Sequence, residues 1–199
     1  MIIQLRGTSG SGKSHIVRAV LADVRNRTRH RQEGRRQPIG YSGQLGPLGG
    51  TSCASLGIPG HYETPCGGCD TIPDLTKVFA QVALAAEHHD HVLFEGLLAS
   101  EDTRRTIELR DKLALMGGLG ARSHELRVVL IDTPLEDCLA GIQKRRDDRG
   151  DVRPLNPANT TNRIRTIRRA CDKLKEAGVY VATTDRAGAA DLVRGWLHG

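Results

Sequence analysis

Gly7-Thr8-Ser9-Gly10-Ser11-Gly12-Lys13-Ser14 decides how this 199-residue chain is read. The stretch fits G-x-x-x-x-G-K-[ST], the spacing of a phosphate-binding loop. Before it, Ile2-Ile3-Gln4-Leu5-Arg6 is short and largely apolar, as a buried first strand requires. After it, Ile16, Val17, Val20, Leu21 and Val24 recur at helical spacing. Strand, glycine loop and helix in that order are the context the motif needs. The glycines let backbone N–H groups curl around phosphate oxygens, and the helix N-terminus adds a favourable partial charge. Gly7, Ser9, Gly10, Ser11, Gly12, Lys13, Ser14 and His15 are therefore the expected contacts to ATP. In such a loop Lys13 reaches the β- and γ-phosphates and the Ser14 hydroxyl ligates Mg2+. The competing reading, a chance Gly/Ser turn before a helix, explains neither the full spacing nor its context.

Bulk composition agrees with a nucleotide-binding α/β protein. Hydrophobic residues make up 38% of the chain and aromatic residues only 3%. The core must then be built from Leu, Val, Ile and Ala, as in parallel sheets. The length suits one domain, residues 1–199, with room for an insertion. A net charge of +6 and a sequence pI near 9.3 favour an anionic partner. A nucleotide enzyme already needs positive charge, so this balance suggests nucleic acid without requiring it. No apolar run approaches the length of a membrane span, and the first strand leaves no stretch for a signal peptide. Five cysteines, an odd number unevenly spread, fit a reducing cytoplasm better than a secreted disulfide frame.

Along the chain, residues 13–26 read as the first helix. Residues 25–36 set six arginines against one glutamate. They are either a solvated helix end and loop or a contact surface for a phosphate backbone. Ile39-Gly40-Tyr41 can form a short second strand. From Ser42 to Gly60 the sequence is rich in Gly, Ser and Pro with almost no apolar periodicity, so 42–72 reads as an irregular functional insertion or lid. Its last part, Gly60-His61-Tyr62-Glu63-Thr64-Pro65-Cys66-Gly67-Gly68-Cys69-Asp70-Thr71, is dense in polar side chains and is the candidate acceptor side. His61, Tyr62, Glu63 and Asp70 are its candidate substrate contacts, with Arg35 and Arg36 upstream. Cys66 and Cys69, with Cys53 and His61, have the makings of a zinc site. The alternative is a tight glycine turn carrying two small thiols.

Residues 73–89 read as a helix with Pro73 at its first position. His88, His89 and His91 then form either a metal-binding group or a solvated loop. His91-Val92-Leu93-Phe94-Glu95-Gly96 is an apolar strand ending in an acid, and ligands of parallel sheets sit at that end. Glu95 there can hold magnesium or take the acceptor proton; alternatively it is an ordinary strand-end acid. Residues 101–115 read as a helix and Leu126 to Asp132 as a buried strand. Pro134 opens a helix that runs into 144–154, where Arg145 and Arg149 stand four apart. Paired guanidinium groups neutralise a transferring phosphoryl group well, although a solvated mixed-charge face has the same pattern. Asn156 to Lys175 reads as a long basic helix, Val179 to Ala182 as the last strand, and a terminal helix carries Trp196 and Leu197.

Taken together, these residues resemble the P-loop kinases related to nucleoside monophosphate kinases and polynucleotide kinases. The resemblance rests on the phosphate loop, Phe94-Glu95-Gly96, Ile131-Asp132-Thr133-Pro134, the arginine segment 145–153 and Lys175-Glu176-Ala177-Gly178-Val179. It implies a three-layer P-loop NTPase fold with a central five-stranded parallel sheet and an arginine lid over 144–156. It also implies that Lys13 and Ser14 hold phosphate and Mg2+, that Glu95 takes the acidic strand-end position beside the metal, and that Arg145, Arg149 and Arg153 take the lid role, Arg149 against ATP. Lys13, Glu95, Arg145 and Arg149 are then the expected catalytic residues, with Asp70 or Glu95 orienting or deprotonating the acceptor hydroxyl. Gly60-His61-Tyr62-Glu63-Thr64 with Cys66-Gly67-Gly68-Cys69-Asp70-Thr71 is similar, more narrowly, to bacteriophage P-loop kinases of thymidine hypermodification. Those act on the hydroxymethyl group of 5-hydroxymethyluracil in DNA, which implies a DNA partner and the host cytoplasm. A kinase of a free nucleotide, nucleoside or other small molecule, and a nucleotide-binding module that transfers nothing, are the competing expectations.

Overall fold

The first strand, β1 (Ile2–Arg6), is buried along its whole length, and the sheet grows outward from it. The structure, a computed structural model, describes residues 1–46, 53–64, 67–118 and 122–198. On one side β1 pairs in parallel with β5 (His91–Glu95), and on the other with β6 (Leu126–Ile131). β4 (Ser55–Pro59) and β7 (Tyr180–Thr184) extend the parallel set. β3 (Gly40–Leu45) and β2 (Val24–His30) then add two antiparallel strands, giving the order β2-β3-β4-β5-β1-β6-β7.

Alternation along the strands sends side chains to two faces, and helices cover both. Ile3, Leu5, Val129 and Ile131 pack on one face with α1 (Lys13–Asp23) and α7 (Ala189–His198). Ile2, Val92, Phe94 and Leu126 pack on the other with α2 (Leu75–His88) and α4 (Arg104–Gly118). Val128 and Leu130, also on that face, meet α6 (Pro157–Glu176). α3 (Leu97–Glu101) and α5 (Leu135–Asp147) complete the helices of the described residues. None of the helices is long and apolar enough to cross a membrane.

Among the described residues the sheet has seven strands where five were expected, although five of them are parallel as the resemblance implies. The expected first helix stops at Asp23, and residues 24–30 are the edge strand β2 rather than a helix end. The insertion is not irregular throughout: β3 and β4 lie within 40–59. Both strands carry glycine within them, and they exist because each pairs with a neighbour. Pro73 precedes α2 instead of opening it. The cap is Asp74, whose carboxylate accepts from the Thr76 N–H at 2.7 Å.

This topology decides what meets the phosphate loop. His30, Gly40 and Pro59 are paired across β2, β3 and β4, so all three lie level with the carboxyl ends of the parallel strands. The loop of residues 31–39 and the segment after Pro59 therefore share the edge at which Gly7 and Glu95 emerge.

Candidate active site

Gly10 and Gly12 have φ values of 82° and 98°, which L side chains adopt only under strain. A Cβ on Gly10 would lie 2.1 Å from the Cys138 carbonyl oxygen, so the loop also packs too closely on α5 for any other residue. Lys13 is buried, and its ammonium donates to the carbonyls of Gly7 at 2.6 Å and Thr8 at 3.0 Å. Burial lowers its pKa, while Glu95 and Asp70 favour its charge and Arg145 opposes it.

The Ser14 hydroxyl donates to Glu95 Oε1 at 2.7 Å. Glu95 is 1% exposed, and burial pushes its carboxyl above the usual range, with Lys13 and Ser14 pulling it back. The hydroxyl and carboxylate are oxygen donors of the kind a hard divalent cation takes. Among the described residues no group of three or more His, Cys, Asp or Glu is arranged to hold a metal ion.

A cavity of about 160 Å3 opens over the loop, lined by Lys13, Ser14, His15, Arg18, Arg145 and Arg186 among others. Arg145 also donates from Nε to the Gly141 carbonyl at 3.2 Å, which holds its chain along α5. Arg149 lies beyond the end of α5, and its Nε donates to the Arg145 carbonyl at 3.0 Å. It is exposed and does not line the cavity. Arg153 pairs with Asp151 at 2.7 Å. Ser9 is half-buried, and His15 is exposed at the cavity rim.

On the acceptor side, Asp70 accepts from the Leu97 N–H with both carboxylate oxygens, at 2.7 and 2.8 Å. It thereby ties the 60–71 segment to the helix that follows Glu95. Gly68 packs directly on Glu95: a Cβ there would lie 2.2 Å from Oε1. His61 bridges to Gly68 and is buried, with its Nδ1 unpartnered among the described residues. Burial lowers its pKa, and Arg18 and Arg35 add to that. A cavity of about 270 Å3 lies between His61, Thr71 and residues 34–38, including Arg35 and Arg36. Arg35 donates to the Thr71 carbonyl at 3.0 Å.

Tyr62 is buried in the core against Tyr41, with ring centroids 6.2 Å apart. Glu63 pairs with Arg29 at 3.1 Å. Of the expected zinc set, Cys66 lies outside the described residues; Cys53 is exposed, Cys69 is a buried free thiol, and these two and His61 form no metal-holding group among the described residues.

Two arginines that sequence reading did not single out belong to the site. Arg18 donates to the carbonyls of Tyr62 at 2.9 Å and Thr64 at 2.6 Å, and it holds the segment after Pro59 against α1. Arg186, after β7, donates to the carbonyls of Gly10 and Ser11 and lies over Gly12. Arg18 sits one turn beyond the motif, which is a usable signal. Arg186 gives none, because 176 positions separate it from Gly10.

No family model matches the chain. It is 34% identical over 198 residues to a protein of Pseudomonas phage PaMx11 named 5-hmdU DNA kinase, covering 99% of this chain and 97% of that one. A protein of Delftia phage PhiW-14 with the same name is 26% identical over 192 residues, covering 90% of this chain and 66% of the relative. With near-complete coverage at that identity, the chain belongs to the family of the phage 5-hmdU DNA kinases.

Proposed function

We propose that the protein is an ATP-dependent kinase that transfers the γ-phosphoryl group to the hydroxymethyl oxygen of 5-hydroxymethyluracil in phage DNA. In this reading the whole chain is one P-loop kinase unit with the sheet described above. The observation that carries it is the 2.7 Å contact between Ser14 of the phosphate loop and the buried Glu95 at the end of the neighbouring strand. The name shared by the two phage relatives supports the acceptor.

The loop amides and Lys13 bind the phosphate chain, and Arg145 neutralises charge on the transferring group from the cavity wall. Arg149 and the rest of segment 144–156 act as the lid. Ser14 and Glu95 would hold Mg2+, which when bound supplies further neutralisation of the phosphates. The hydroxymethyl oxygen bonds to the γ-phosphorus as the bond to the bridging oxygen breaks and ADP leaves. Asp70, exposed on the acceptor side, takes the hydroxyl proton. His61, Arg35 and Arg36 line the pocket for the extruded base and its phosphate, with Tyr62 and Glu63 on the same loop. Extruding a base costs about a few kcal/mol, which those contacts must offset.

The test is transfer from γ-labelled ATP into duplex DNA with one 5-hydroxymethyluracil, thymidine DNA and the free nucleoside. Label is expected in the first alone, and Lys13→Ala should lower its rate by about 10²–10³. Label in the free nucleoside but not in DNA would remove the DNA reading. Hydrolysis of ATP without transfer would remove the kinase reading.

A further inference from the structure

A single irregularity decides which way the arginines of β2 face. β2 pairs with β3 through Val24↔Leu45 and Arg25↔Gln44, and again from Thr28↔Ser42 to His30↔Gly40. Asn26 and Arg27 therefore stand together opposite Gly43, a β-bulge with Asn26 at φ 50°. One extra residue reverses the alternation of every side chain after it. Val24 packs against the core on the face that carries α1. In an unbroken ladder Asn26 and Thr28 would share that face, and Arg27 and Arg29 would point to the opposite one.

With the bulge in place, Arg29 stands beside Tyr41. Arg27 and Arg29 line, with Arg18, Tyr41, Tyr62 and Glu63, a cavity of about 240 Å3 against α1. Gly43 permits this, because a Cβ there would lie 2.4 Å from Val24 Cγ1 and 2.6 Å from the Arg25 carbonyl oxygen. Arg18 lines this cavity and the phosphate cavity alike. The two therefore meet at one guanidinium, and basic side chains run from Lys13 and Arg145 through Arg18 to Arg29 and Arg27. Glu63 is the one acid in the second lining, half-exposed and paired with Arg29.

We propose that this trough, turned toward α1 by the bulge, seats the phosphate backbone of the DNA that carries the acceptor base. The proposal rests on the DNA-kinase reading above and extends the acceptor contact well beyond the base pocket. Charged residues on an edge strand also discourage sheet-to-sheet pairing. That purpose is served whichever face they take, and it does not need a bulge that gathers them beside Arg18.

The test measures binding of wild type, Arg27→Ala/Arg29→Ala and a variant lacking Asn26 to labelled duplex DNA containing 5-hydroxymethyluracil. Anisotropy is read without ATP across a range of salt, with Arg104→Ala/Lys112→Ala on α4 as a control of equal charge change. The Arg27/Arg29 variant should bind at least about tenfold more weakly near 0.1 M salt, and its salt slope should fall by about two, one unit for each lost phosphate contact. Its ATP affinity should match wild type. Deleting Asn26 leaves the net charge unchanged and keeps Arg27 opposite Gly43 and Arg29 beside Tyr41 on the Val24 face, so that variant should bind DNA as wild type does. If the Arg27/Arg29 variant keeps the wild-type slope, or loses no more than the control, the trough is not a DNA seat. Because binding is read without catalysis, a wild type that binds DNA through these arginines yet transfers no phosphate would overturn the kinase reading and leave the trough standing.

Discussion

Glu95 is almost wholly out of water, and its nearest charged neighbours decide whether it is ionised. Burial raises its pKa, Lys13 lowers it, and the Ser14 hydroxyl stabilises the anion. Glu95→Gln keeps the volume and an acceptor for Ser14 but removes the charge. Lys13 then keeps Asp70 as the remaining carboxylate that favours its ammonium. We expect kcat to fall about 10²-fold or more, since a preorganised charge at the transferring group is lost. The DNA affinity of Glu95→Gln, measured by anisotropy, should match wild type. A variant within a fewfold of wild-type kcat would show that Glu95 is only a strand-end acid. Asp70, proposed above to take the hydroxyl proton, also accepts from the Leu97 N–H with both oxygens and so holds the turn after Glu95.

Among the elements, the join between β1 and the helices after Glu95 carries the most unusual chemistry. Arg6 is fully buried at the end of β1. Its guanidinium donates to the carbonyls of Ser100 at 3.0 Å and Asp102 at 2.7 Å, to Thr106 Oγ1 at 2.7 Å and to Gln4 Oε1 at 3.1 Å. Burial lowers its pKa to about 10, which leaves it charged at neutral pH. No carboxylate is among these hydrogen-bond partners; the carbonyls after α3 hold the charge, and the nearby Asp102 carboxylate favours it. Arg6→Met would leave those acceptors without donors, and we expect a loss of about 3–5 kcal/mol in urea unfolding. A loss below about 1 kcal/mol would mean that the carbonyls find other donors. The strand would then depend on its apolar neighbours alone.

At the scale of the molecule, the two edges of the sheet behave differently. The carboxyl edge gathers the phosphate loop, Glu95 and the acceptor segment. The amino edge gathers His91, His124 and the chain's amino group, which donates to the Asp90 carbonyl at 2.7 Å and lies 3.1 Å from His124 Nδ1. Burial lowers the pKa of His61, His89, His91 and His124, that of His91 to about 4. A depressed histidine pKa means the unfolded chain binds protons that the folded one refuses. Stability should therefore fall as pH drops from about 6.5 toward 4. For His91, discounted because its ring is only partly shielded, the loss is about 1 kcal/mol between pH 7.5 and 5. Urea midpoints at those two pH values test this, and His91→Asn should flatten the slope. Equal midpoints would mean that these rings protonate in place.

The sequence by itself determined the glycine loop and the elements beside it. Gly7 to Ser14, the strand ending at Glu95 and the helix bearing Arg145 could be read because each depends on residues a few positions apart, where spacing dictates local geometry. Their order along the chain also carried the family resemblance. Tertiary structure alone decided the antiparallel edge of the sheet and which distant arginines reach the phosphate loop. β2 has a single apolar residue, and β3 and β4 offer only short apolar stretches interrupted by glycine; they are strands because each hydrogen-bonds to a partner strand that composition does not reveal. Arg186 reaches Gly10 across 176 positions, and the bulge opposite Gly43 turns Arg27 and Arg29 toward α1. A side chain's direction there depends on register with a distant strand, and register is a property of the pair rather than of either sequence.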